Sequence, residues 1–126
     1  EGRKLYRMVS RLVRRFPKDE LFGLVSQMRR SARSVCANIA EGSGRNSDAD
    51  FAQFVEISYG SAAEVASDAY LAFDEGYINE AELNELLAQV QVVISLASGL
   101  YRRLKPSADK SLPPSAFRLP LRRSAP

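Results

Sequence analysis

Through the first 105 positions, apolar residues return every three or four places, the spacing of one face of an α-helix. Four such runs follow one another. In the first, Leu5, Val9, Leu12 and Phe16 share a face, while Arg3, Arg7, Arg11, Arg14 and Lys18 repeat on the opposite one. A helix is predicted from the N-terminus to about Arg15. Phe16-Pro17 ends it, because the residue before proline avoids the helical region. The second run is Leu21, Leu24, Val25, Met28, Ala32, Val35, Cys36 and Ile39, and it predicts a helix from about Asp19 to Glu41. Gly42 stands where a helix stops on a left-handed residue.

The third run, Phe51, Phe54, Val55, Ser58, Ala62, Val65, Ala66, Ala69 and Phe73, predicts a helix from about Asp48 to Glu75. Ser47 and Asp50 have the spacing of a capping box, and Gly76 is placed to end the helix. Many residues of this face are small, so a neighbouring helix can come close. The fourth run has the clearest start. Asn79 is a good N-cap, Glu82 is the acid three places on, and Ile78 can staple onto Leu83. Leu83, Leu86, Leu87, Val90, Val93, Ile94, Ala97, Leu100, Tyr101 and Leu104 then form a seam like that of a helical bundle. Arg102, Arg103 and Lys105 close it with cations, which suit the negative end of the helix dipole.

Four amphipathic helices joined by short turns predict an all-α fold, an antiparallel up-down-up-down four-helix bundle over residues 1–105. No strand pattern competes with it. Five of the six prolines lie at or beyond Pro106, so residues 106–126 are expected to form an extended, Pro-rich basic tail. In that tail Phe117, Leu119 and Leu121 are candidate anchors on a neighbouring subunit.

Composition narrows the chemistry. The chain has 126 residues, fitting one domain, with no histidine, no tryptophan and one cysteine, Cys36. A zinc, haem or di-iron site therefore has almost no ligands, and no cofactor is expected. No disulfide can form within the chain, which suits a reducing cytosol. No apolar run approaches the ~18 residues of a membrane span, and no signal-peptide pattern is present, so a cytoplasmic location is expected. Cys36 reads as a buried thiol acting as a small hydrophobe, with no histidine to activate it.

Charge is unevenly distributed. Residues 1–46 hold 11 Lys/Arg and 4 Asp/Glu, residues 47–101 hold 10 Asp/Glu and no cation, and residues 102–126 hold 7 cations and one acid. Such blocks can bind each other within or between subunits, or the basic block can bind a polyanion. The nucleic-acid candidates are Arg7, Arg11, Arg14, Arg29, Arg30 and Arg33, since phosphate contacts need clustered Lys/Arg. Neither an RNA-recognition motif nor an exposed aromatic platform accompanies them. The carboxylates Glu56, Glu64, Asp68, Asp74 and Glu75 fall off the apolar face, either solvated or paired with cations.

The stretch "ANIAEGSGRNSD", residues 37–48, looks like a signature. A phosphate-binding P-loop needs a lysine and a hydroxyl residue opening a helix after a strand. Here the glycines follow a helix and that lysine is missing, so a helix stop, a turn and a new cap account for them. Asn38 sits at the edge of the apolar stripe, and Glu41 lies in a last turn, where the dipole disfavours an acid. With Gly42 and Arg45 they predict a polar network fixing the turn between the second and third helices, Arg45 being the natural partner of Glu41. The alternative is a catalytic role for Glu41 and Arg45.

Some apolar residues point away from the core faces: Ile57 and Leu71, with Gly60 between them, and Val92 and Leu96. Four such residues on adjacent helices predict a second interface and hence a homo-oligomer, a ring built through these outer faces.

"FPKDELFGLVSQMRRSARSVCANIAEGSGR", "DFAQFVEISYGSAAEV" and "DEGYINEAELNELL" together resemble the bacterial 23S rRNA intervening-sequence protein family, also called the four-helix bundle protein family. The likeness covers about residues 3–105, and its most specific parts are "SQMRRSARSVCANIAEG" and "YGSAAE". It implies a small cytosolic helical bundle of unsettled biochemical role, from a family first noticed as reading frames within insertions in ribosomal RNA genes. Distant relatives form pentameric rings, serve as accessory proteins of diversity-generating retroelements and help a reverse transcriptase handle RNA. Members open their first helix with an aromatic-rich stretch that is missing here, which, with Glu1 in place of Met, points to a start further upstream. The expected function is a non-enzymatic oligomeric scaffold or accessory protein, partnered by RNA, DNA or another protein, with no membrane and no small-molecule substrate. The alternatives are a nucleic-acid binder using the basic faces of the first two helices, and an enzyme using Glu41 and Arg45.

Overall fold

The computed structural model describes residues 1–105. The expectations for the Pro-rich tail, with Phe117, Leu119 and Leu121, lie outside the described residues. Within them the chain forms four helices, α1 (Gly2–Val13), α2 (Ser26–Ser43), α3 (Asp48–Asp74) and α4 (Glu80–Leu104), and no strand. α1 packs on α2 and α4, and α3 packs on α2 and α4. At ~1.5 Å per residue α1 is about 18 Å long, whereas α3 and α4 approach 40 Å. α1 therefore covers only part of the length of its neighbours.

The start of α1 is tied down by a buried amide. Gln89 of α4 donates through Nε2 to the Glu1 carbonyl at 2.9 Å and to the Glu1 carboxylate at 2.8 Å. Leu5, Val9 and Val13 are buried, and Leu12 is half-buried beside them. The helix ends at Val13, two residues before the predicted Arg15. Phe16 is nevertheless buried, with its ring 5.1 Å from that of Tyr77.

The largest departure from the periodicity is in the connection to α2. A 3-10 turn, Lys18–Glu20, leads into a wide π-like turn, Leu21–Val25, broken at Gly23 (φ −109°, ψ −109°). The predicted helix from Asp19 thus begins only at Ser26. Glycine costs about 1 kcal/mol in a helix interior relative to alanine, so here the apolar spacing does not carry a continuous helix. Leu21, expected in the core stripe, is 48% exposed, and Phe22 is 93% exposed. The connection is held by residues at the turn between α3 and α4. The Tyr77 hydroxyl donates to Glu20 at 2.8 Å, and Arg15 pairs with Glu82 at 2.6 Å. That hydrogen bond to Glu20, reinforced by burial, pushes the Tyr77 phenol up to about 12.

α3 starts at Ser47, whose hydroxyl accepts from the Asp50 N–H at 3.1 Å. It ends at Gly76, the one described residue with a left-handed φ, +79°. α4 opens with the full capping box: the Asn79 side chain accepts from the Glu82 N–H at 2.8 Å, and Glu82 accepts from the Asn79 N–H at 2.9 Å. That backbone bond first, and Arg15 second, hold the Glu82 carboxyl below its usual range. Ile78 and Leu83 are both buried in the core. By length and composition α4 is apolar enough to cross a membrane, although half of the qualifying stretch is buried against the other helices.

Candidate functional site

α2 and α3 meet along a seam of small and hydroxylic residues. Ser58 donates to the Val35 carbonyl at 2.8 Å, Ser61 to the Ser34 hydroxyl at 2.7 Å, and Ser31 to the Glu64 carboxylate at 2.9 Å. Partners descend α3 as they ascend α2, so the two helices run in opposite senses. Gly42 lies at the seam's end. A Cβ there would come within 2.8 Å of both Phe51 Cδ1 and Phe54 Cβ. Gly42 is buried within α2 and has no left-handed φ. The sequence expectation for it is therefore corrected: helix proximity demands a glycine here, and the helix stops one residue later.

The four residues of the expected polar motif do not form one network. Asn38 bonds back within α2, donating to the Ser34 carbonyl and hydroxyl at 2.9 Å each, and so joins the Ser34–Ser61 seam. Glu41 pairs with Arg45 at 2.5 Å on an exposed surface, and the Arg45 guanidinium lies 4.7 Å from the centre of the Phe54 ring. An exposed i,i+4 pair contributes about 0.3–0.5 kcal/mol, enough to offset the acid's unfavourable place at a helix end. Glu41 and Arg45 satisfy each other in the open, and neither lines either of the two clefts that adjoin α1.

One of those clefts, about 380 Å³, lies between α1 and α2 and is lined by Arg3, Tyr6, Arg7, Arg33 and Cys36. Of the six arginines expected on phosphates, Arg7 and Arg33 are thus brought together. Arg11, Arg14 and Arg30 are exposed and Arg29 is half-buried, all outside this lining. Tyr6 was not singled out in the sequence, because its neighbours on α1 read only as a basic stripe. Its 36% exposure and its place among three arginines come from the α1–α2 contact. Among the described residues the ion pairs are Arg15–Glu82 and Arg45–Glu41, so Arg3, Arg7 and Arg33 have no carboxylate partner there. The acidic helices do not neutralise this face within the subunit.

The other cleft, about 500 Å³, is an apolar groove beside the first residues of α1, between α2 and α4, with Ile39, Leu96 and Leu100 on its walls. Cys36 borders both clefts and is half-buried, more open than the expected core thiol. Groups of three or more His, Cys, Asp or Glu able to hold a metal are absent among the described residues.

Ile57, Leu71, Val92 and Leu96 are between 41% and 58% exposed. Gly60 is exposed as well, and a Cβ on it would meet nothing within 4 Å.

Asp68 sits one turn beyond Glu64 at the seam's far end. Burial first, and the neighbouring Glu64 second, raise its pKa above the usual carboxylate range, and its Oδ2 is buried without a partner among the described residues.

No curated protein matches the chain. The family model of the 23S rRNA-intervening sequence protein matches residues 1–99. Those residues take in all of α1, α2 and α3, the serine seam and most of α4, and the chain belongs to the 23S rRNA-intervening sequence protein family.

Proposed function

We propose that this chain is a non-enzymatic, oligomeric scaffold or accessory protein of the cytoplasm: an antiparallel up-down-up-down bundle assembled into a closed ring. The observation that carries the reading is the exposure of Ile57, Leu71, Val92 and Leu96 on the adjacent helices α3 and α4, outside a core that is already complete. Apolar side chains gathered on neighbouring elements mark association surfaces. Gly60, on the same helix as Ile57 and Leu71, lets a second backbone approach. A ring multiplies any weak contact that each subunit makes with a partner. Sedimentation velocity at micromolar concentration tests this. A multimer is expected, and paired Ile57→Asp and Leu96→Asp changes should reduce it to monomer without loss of helicity. A native chain that sediments as a monomer overturns the reading.

A second reading is favoured by arginines that have no carboxylate partner among the described residues: nucleic-acid binding through the basic faces of α1 and α2, with Arg7, Arg11, Arg14, Arg29, Arg30 and Arg33 on phosphates. Its signature is affinity that falls steeply with added salt. Changing Arg29, Arg30 and Arg33 together to Ala should flatten that slope. An absence of binding to any nucleic acid at low salt removes this reading and leaves the scaffold untouched.

A further inference from the structure

We propose that the cleft between α1 and α2 is a binding site for one nucleotide of a single-stranded polynucleotide, with Tyr6 stacking on the base and Arg3, Arg7 and Arg33 holding the adjoining phosphates. This inference rests on the second reading above and makes it more specific. Arg3 and Arg7 are four residues apart on α1, one above the other on the same helix face, and Arg33 enters from α2. Three arginines line the cleft and no acid does, a charge pattern that suits an anion. The planar guanidinium fork fits a phosphate oxygen pair, which makes arginine the side chain suited to this contact.

An anion alone would leave Tyr6 unused. The side chain is 36% exposed and lines the same cleft, and the proposal sets a base against its ring. A positive groove joined to an aromatic face is the arrangement that binds single strands, since every base has a π-face to offer. A duplex offers phosphates and the edges of its bases but no base face, because its bases are stacked on one another. The volume of about 380 Å³ accommodates one nucleotide unit, not a helix. Arg11 and, at the helix end, Arg14 continue the charge along α1 in steps of about 6 and then about 4.5 Å, so flanking phosphates of a polymer meet further cations and a free mononucleotide does not.

The test uses the full chain and fluorescence anisotropy with a labelled 12-nucleotide oligo-U, the matching oligo-dT and a 12-base-pair RNA duplex, each across a salt series. Both single strands are expected to bind more tightly than the duplex, and the ratio of the two separates RNA from DNA as the natural source. Tyr6→Ala should weaken single-strand binding about fivefold to a hundredfold, the span of one lost base–aromatic stack, with the salt slope unchanged. Tyr6→Phe should retain most of the affinity, which separates stacking from any general disturbance of α1. Arg33→Gln should lower the salt slope by about 0.7, the value of one phosphate contact on a single strand. Duplex binding as tight as single-strand binding overturns the proposal. So does unchanged affinity in Tyr6→Ala while the triple arginine change flattens the slope, and in that case the broader nucleic-acid reading stands without this site. Binding to none of the three probes at low salt ends both.

Discussion

Gly42 and Gly60 face opposite circumstances on the two sides of α3. At Gly42 the backbone of α2 lies so near α3 that a methyl group would stand 2.8 Å from two phenylalanine carbons. At Gly60 a methyl group would meet nothing within 4 Å. The first belongs to a seam of small side chains stitched by serine hydroxyls, the second to an outer face where Ile57 and Leu71 are half in water. The contrast teaches that one helix can be both cemented and unfinished. Its inner face is spent within the subunit, and its outer face has apolar surface that the other described residues leave half exposed.

Substitutions can break or sharpen that contrast. Gly42→Val forces the seam apart and should cost about 1–3 kcal/mol by overpacking, read from the urea midpoint. A midpoint equal to that of the native chain would mean the seam is looser than the distances say. Ser58→Ala removes a buried bond to the Val35 carbonyl and should cost about 1 kcal/mol in the same assay. Gly60→Ala should go the other way, gaining about 0.5–1 kcal/mol because alanine loses less conformational freedom than glycine on entering a helix. Loss of assembly in Gly60→Ala, with the fold intact, would place Gly60 at a close intersubunit contact.

The smallest effect concerns Asp68, at the seam's far end. Its raised pKa means that the folded chain binds this proton more tightly than the unfolded one. Stability should therefore fall as pH climbs from the ordinary value of 3.8 to the raised folded value, and stay level above that. Asp68→Asn should remove the fall, leaving the variant more stable than the native chain near neutrality and equal to it at lower pH. Melting temperatures across the acid range check both arms. A fall of the same size in the variant would assign it to another carboxylate.

Helix count, the caps at Ser47 and Asn79 and the stop at Gly76 were legible because each depends on a few neighbouring residues. So were the outward apolar positions, since periodicity alone says which residues miss the core. The start of α2 was not. Leu21 and Leu24 keep helical spacing, and only the break at Gly23 turns Leu21 and Phe22 outward. Of the candidate sites, the arginines were visible as a stripe, but their meeting with Tyr6 was not. It joins positions 3–7 to positions 33–36, and no local pattern encodes which faces of two helices adjoin. The Glu41–Arg45 pair was legible from its spacing, whereas the α2–α3 seam that Asn38 joins and Gly42 ends was not, because it links residues far apart in the chain.

What this sequence determined unaided is what short-range physics controls: the period of its apolar positions, the side chains that cap its helices, the segregation of its charges and the chemistry that a chain without histidine gives up. Tertiary structure alone decided how near α2 comes to α3, which arginines share a cleft with a tyrosine, and how Gln89 of α4 holds the first residue of α1. Those outcomes depend on pairs of residues far apart in the chain. Their distance is set by how whole helix faces fit together, a property that no single stretch of sequence carries.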